Sequence, residues 1–223
     1  MGGFANNAPI VTDGLVFYVD AGNSSSYPGS GTTWSDLIGS DDATLTNGPT
    51  YSSSNGGYID YDGTNDYVVT SGSDLPALNS LSALSVCGFF KMDDFSAVRQ
   101  IYSWGDNSGI RFRVDSGGTA VRFLERGGTN NNAYSITLSA DTWYFFCTIA
   151  DSSGLSAFID STKLTGGSAF SPTHTGNTVY IGSRSTSTSE IIKGSIACLS
   201  IYTKALTDAE VTQNYNALKN RFV

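Results

Sequence analysis

The sequence is short of charge, of cysteine and of the residues that hydrolases use in pairs. Of its 223 residues only 14% are charged, one is histidine and three are cysteine. Glutamate occurs only at Glu125, Glu190 and Glu210. The formal net charge of -8 opposes binding to phosphate backbones, which needs clustered Lys and Arg to release counterions. Nucleic acid is excluded as a partner on that ground. No run approaches the ~18 apolar residues that cross a bilayer, and Met1 to Asn7 has neither a basic start nor an apolar stretch. Neither a secretory signal nor a membrane anchor is expected.

Cys87, Cys147 and Cys198 lie far apart, each in an apolar strand-like run (SVCGFF, YFFCTI, IACLSI). An odd count without short spacing argues against a disulfide framework or a zinc site. The expectation is three buried free thiols in a chain made in a reducing cytoplasm.

Hydrophobic residues at 39%, with 12% aromatic, suffice for a sizeable core. They come in short β-branched and aromatic runs separated by Gly, Asn, Asp and Ser. Strands are expected near 15–20, 58–61, 67–70, 84–92, 98–104, 110–114, 121–125, 133–137, 142–150, 155–159, 178–182 and 191–202. That is too many for one open sheet. Asp115-Ser116-Gly117-Gly118 and Asp151-Ser152-Ser153-Gly154 read as hairpin turns. The polar stretch from Ala21 to Ser54 reads as a connection folded down on the body, and residues 1–13 as an arm outside the core. At the C-terminus the pattern changes. Thr207 and Glu210 form a capping box, and Val211, Tyr215, Leu218 and Phe222 recur at helical spacing, so a helix over about 207–221 should lie on a sheet.

This closing segment, Gly194 to Phe222, resembles that of the laminin-G-like, concanavalin A-like lectin and glucanase superfamily, in a branch found among tailed-phage structural proteins. Blocks in the same order extend the resemblance: Gly14 to Asn23, Tyr27 to Leu37, Asn47 to Tyr51, Asp62 to Val68, Thr142-Trp143-Tyr144, Phe158-Ile159-Asp160 and Ile181 to Arg184. It implies an all-β jelly-roll sandwich of two antiparallel sheets with one short C-terminal α-helix, in a single domain over 14–223.

Retaining glucanases of this kind use two carboxylates about 5 Å apart, carried in the related family on Glu-x-Asp-x-x-Glu. None of the three glutamates has that spacing. No Gly-x-Ser-x-Gly elbow and no phosphate-binding Lys-Ser/Thr after Gly29-Ser30-Gly31 are present, and His174 reads as a loop residue. The chain is expected not to be an enzyme. Calcium, which many domains of this superfamily bind at a loop-rich rim, has candidate ligands in Asp60, Asp62, Asp66 and Asp20. Turn formation by Asp62-Gly63-Thr64-Asn65 competes with that role, and Ser71 stands where an EF-hand would place Glu. For glycan contact, Tyr102 and Trp104 with Asp106 and Asn107, and Tyr134 after a run of asparagines, have the composition of a ring platform flanked by polar groups. Core packing is the commoner fate of such aromatics.

The resemblance implies a structural or adhesion protein of a phage particle, in capsid decoration or a tail fibre. It would be made in the host cytoplasm and reside in the virion. Its expected partners are other virion proteins, a host surface glycan and further copies of itself, as a trimer through the arm. The alternative is a carbohydrate-binding module for cell-surface or extracellular polysaccharide.

Overall fold

The computed structural model describes residues 8–105, 109–125, 131–166, 169–186 and 190–222. Its strands are β1 (Leu15–Asp20), β2 (Thr33–Trp34), β3 (Ala43–Thr46), β4 (Thr50–Ser52), β5 (Tyr58–Asp62), β6 (Tyr67–Thr70), β7 (Leu84–Met92) and β8 (Arg99–Trp104). They continue as β9 (Ile110–Val114), β10 (Ala120–Glu125), β11 (Asn131–Ser135), β12 (Trp143–Asp151), β13 (Gly154–Ile159), β14 (Thr162–Gly166), β15 (Val179–Ile181) and β16 (Lys193–Tyr202). The first sheet runs β14-β13-β12-β7-β16-β5-β4, with β1 also on β16, and the second β11-β10-β9-β8-β15-β6-β3-β2. All pairings are antiparallel. The expected two-sheet jelly roll is the fold that forms.

Why three strands lack polar alternation follows from what covers them. β7, β12 and β16 are buried along nearly their whole length. One face of each meets the second sheet through Phe90, Phe146, Ile196 and Leu199, while the other lies under the C-terminal helix through Phe89, Phe145, Cys147 and Tyr202. A strand covered twice reads as a continuous apolar run. Gly88 fits the middle of β7 because a Cβ there would strike Cys198 O and the Phe146 ring. The ten residues of β16 serve two neighbours on one edge: Lys193 to Ile196 pair with β5, and Cys198 to Tyr202 with β1.

The helix α1 (Asp208–Leu218) begins at the expected capping box, with Glu210 N donating to Thr207 Oγ1 and Thr207 N to Glu210 Oε2. It ends three residues early, in a 3-10 turn over Lys219–Arg221. That tighter turn carries Arg221 onto Asp20.

Three expectations need correction. The stretch from Ala21 to Ser54 contributes β2, β3 and β4, whose outward Thr residues hid the alternation of Ala43 and Leu45 with Thr44 and Thr46. Residues 8–13 do not stand off as an arm: Val11 is buried, its N–H donates to Asn214 Oδ1 at 2.8 Å, and its carbonyl accepts from Tyr202 Oη. The remainder of that arm lies outside the described residues. The third correction concerns sulfur. Cys87 and Cys147 stand directly opposite on β7 and β12 and are joined as a disulfide. Cys198 stays a free thiol, its pKa pushed up to about 12 by burial.

Candidate functional site

The aromatic residues singled out as a glycan platform are core residues. Tyr102 and Trp104 are fully buried, and Tyr134 nearly so. Alternation on β8 and β11 turns them between the sheets, where the Tyr102 hydroxyl lies 2.6 Å from Thr148 Oγ1 and Tyr134 Oη donates to Leu155 O. Asp106 and Asn107 lie outside the described residues.

The candidate calcium ligands are engaged elsewhere. Asp20 receives Arg221, the Tyr18 hydroxyl and Gly22 N, and Asp60 accepts from Ser195 Oγ. Asp62 accepts from Thr64 N at 2.7 Å and Asp66 from Asp62 N at 3.0 Å, which is the turn chemistry. Burial raises the Asp62 pKa, but the N–H groups of Thr64 and Asn65 outweigh it and the net shift is downward. Burial lifts Asp66, with Asp62 and Asp60 adding to it against the Asp62 N–H. Among the described residues no group of three or more His, Cys, Asp or Glu is arranged to hold a metal.

What the sequence reading missed is a groove of about 500 Å³ on the outer face of the first sheet. Phe89 is among its lining residues, and Trp143, Tyr215 and Phe222 are part-exposed around it. Each ring has a different origin. Trp143 opens β12 opposite Lys91 on β7, Tyr215 comes from α1, and Phe222 follows the 3-10 turn. Phe222 stacks on Phe89 at 4.4 Å and lies 4.8 Å from Trp143. Lys91 Nζ sits 5.9 Å from the Trp143 ring and Lys219 Nζ 5.0 Å from that of Tyr215, within cation–π range.

Asn55, Asp141 and Asp160 supply further polar groups to the same groove. All three hold a left-handed backbone, with φ of 49°, 55° and 51°. Such conformations persist in side-chain-bearing residues where the surroundings fix them, and they concentrate at functional sites. Burial holds the Asp160 carboxyl above its ordinary range, against the Phe145 N–H that donates to it at 2.9 Å. Rings beside acceptors and ammonium donors, in a volume within the usual 300–1,000 Å³ range of small-ligand sites, suit a ring-shaped ligand with one apolar face and several hydroxyls. The Thr142-Trp143 step on an otherwise apolar strand was the signal in the sequence.

A laminin G-type family model, described as the concanavalin A-like lectin/glucanases superfamily, matches residues 62–212. The chain belongs to that superfamily. No curated protein matches the sequence. Among solved structures, Trypanosoma rangeli sialidase in complex with sialic acid is similar with a TM-score of 0.73 and 13% identity, over 96% of this chain and 34% of the sialidase. The same sialidase with the inhibitor DANA gives 0.73 and 14%, over 98% and 35%. The binding domain of Botulinum neurotoxin DC, solved with rat synaptotagmin II, gives 0.67 and 11%, over 92% and 52%. The chain thus spans about a third of the sialidase and half of the toxin domain, and at these identities the likeness is one of fold.

The superfamily fold corrects one expectation from the sequence. The chain was expected not to be an enzyme, yet the sandwich recurs inside sialidases, so a fold of this class is enzyme-related and that exclusion is withdrawn.

Proposed function

We propose that this chain is a lectin-like recognition module that holds a saccharide in the groove between Trp143, Tyr215 and Phe222. We place it on a phage particle, as capsid decoration or part of a tail fibre, where it would meet other virion proteins and a host surface glycan. The observation that carries the recognition reading is the combination of three part-exposed rings with three polar residues held in left-handed backbone around one groove. The order of sequence blocks, which resembles that of a branch found among tailed-phage structural proteins, supports the placement.

A glycan array probed with the wild-type protein and with Trp143→Ala and Tyr215→Ala tests the first part. At least one glycan should bind, and each substitution should weaken it about tenfold or more, equivalent to ~1.4 kcal/mol. Absence of any glycan ligand, or binding indifferent to both substitutions, would leave decoration of the particle without recognition by this groove. Immunolabelling of purified particles in the electron microscope tests the placement, which fails if the label stays in the host cell.

A further inference from the structure

The outer face of β12 carries a second hollow beyond the aromatic groove. Trp143, Phe145, Cys147 and Ile149 alternate onto that face, which α1 partly covers. Trp143 lines the aromatic groove, and Ile149 lines a hollow of about 360 Å³ near the start of the helix. The strand between them covers about 20 Å at ~3.3 Å per residue.

Strand register makes the two hollows neighbours. Asp160, which lines the first, donates its N–H to Phe145 O. Lys163, which lines the second, pairs with Phe158, and Phe158 pairs with Cys147, the next outward residue of β12. The helix follows the same course, with Leu206 bordering the second hollow and Tyr215 and Lys219 the first. One trough therefore runs between α1 and the β13–β14 hairpin.

The half around Ile149 suits sugar without offering a ring. Ile149 and Leu206 give it an apolar floor, and Ser156 stands directly opposite Thr165 in the register of β13 and β14. Thr165 is exposed and Ser156 part-exposed, and neither hydroxyl is engaged by another described residue. A hydroxyl both donates and accepts, so this pair matches sugar hydroxyls in either sense. Lys163 Nζ lies 5.5 Å from the Phe158 ring and 2.6 Å from Asp208, in an ion pair exposed enough to be weakly held. Asp151 gives one carboxylate oxygen to Ser153 N and has no ion-pair partner among the described residues. The charge left over in this half is negative and disfavours an anionic chain.

We infer that the trough holds a neutral linear polysaccharide along several consecutive sugars, with rings gripping it at the Trp143 end and the Ser156–Thr165 hydroxyls at the other. This rests on the aromatic groove being a saccharide site, as proposed above, and adds which kind of saccharide fills it. Calorimetry on the intact chain would compare cello-, manno- and galacto-oligosaccharides of one, two, four and six units. At least one series should bind, with the hexasaccharide at least tenfold tighter than the disaccharide, more than the extra registers of a longer chain supply. Ser156→Ala combined with Thr165→Ala should remove most of that gain and leave the disaccharide unchanged, while the thermal midpoint shows the protein folded. Trp143→Ala should weaken every length. Equal affinity for disaccharide and hexasaccharide, or full hexasaccharide affinity in the folded double variant, would overturn the extended site and leave the aromatic groove standing. Failure of all three series to bind would overturn both.

Discussion

Arg221 places its Nη1 2.8 and 2.7 Å from the two carboxylate oxygens of Asp20, joining residues 201 positions apart. Its Nη2 donates to the carbonyls of Gly56 and Gly57 at 3.1 Å. One side chain near the end of the chain thereby fixes the end of β1, the approach to β5 and the close of the helical segment. Removing one member of a buried pair strands the other, so Arg221→Ala should cost about 3 kcal/mol in urea unfolding. Asp20→Asn should cost less, because an amide still accepts from the guanidinium. Equal stability of Arg221→Ala and wild type would show that the pair is dispensable.

The disulfide closes a loop with a sequence separation of 60. For a loop of that length chain entropy predicts about 4 kcal/mol of stabilisation. Cys87→Ser with Cys147→Ser should lower the unfolding free energy by about that amount. Thiol titration in denaturant should count one reactive cysteine before reduction and three after it.

Asp66 carries a pH dependence of unusual sign. Burial raises its native pKa above the ordinary 3.8, so the folded chain keeps a proton that the unfolded chain has lost. Its contribution is fully present below 3.8 and disappears as pH rises through the higher native value. Asp66→Asn should therefore remove a loss of stability as pH rises from 3.8 through the raised native value, leaving a flatter curve of unfolding free energy against pH. An unchanged slope in that window would refute the assignment.

Helix docking is testable by deletion. Truncation before Leu206 uncovers Phe89, Phe145 and Phe158, which pack with Leu206 and Val211 in one apolar cluster. Each fully buried apolar side chain contributes about 1.5–3 kcal/mol. The truncated chain should aggregate on expression, and a soluble, cooperatively unfolding product would rule out a large docking contribution.

Much of the fold was legible because its strongest elements obey a single rule each. Leu84 to Met92 announced a strand, and Thr207 with Glu210 announced a helix start. The short strands at Thr33, Ala43, Thr50 and Thr162 were hidden, because runs of two to five residues with interspersed Thr and Ser pair only where the sheet already exists. The candidate site was less legible still. Trp143, Tyr215, Phe222 and Asp160 come from separate elements, and composition alone drew attention to Tyr102 and Trp104, whose strand turns them inward. Cys87 and Cys147 looked like two unrelated buried thiols until the β7–β12 register set them face to face.

That sulfur bridge also decides how the molecule carries load. Strands β8 to β11 all fall between Cys87 and Cys147. Tension applied along the chain from its two ends passes through the covalent link and bypasses everything inside the loop. Pulling the two ends apart would therefore extend the segments before Cys87 and after Cys147 first, while β8 to β11 keep their length.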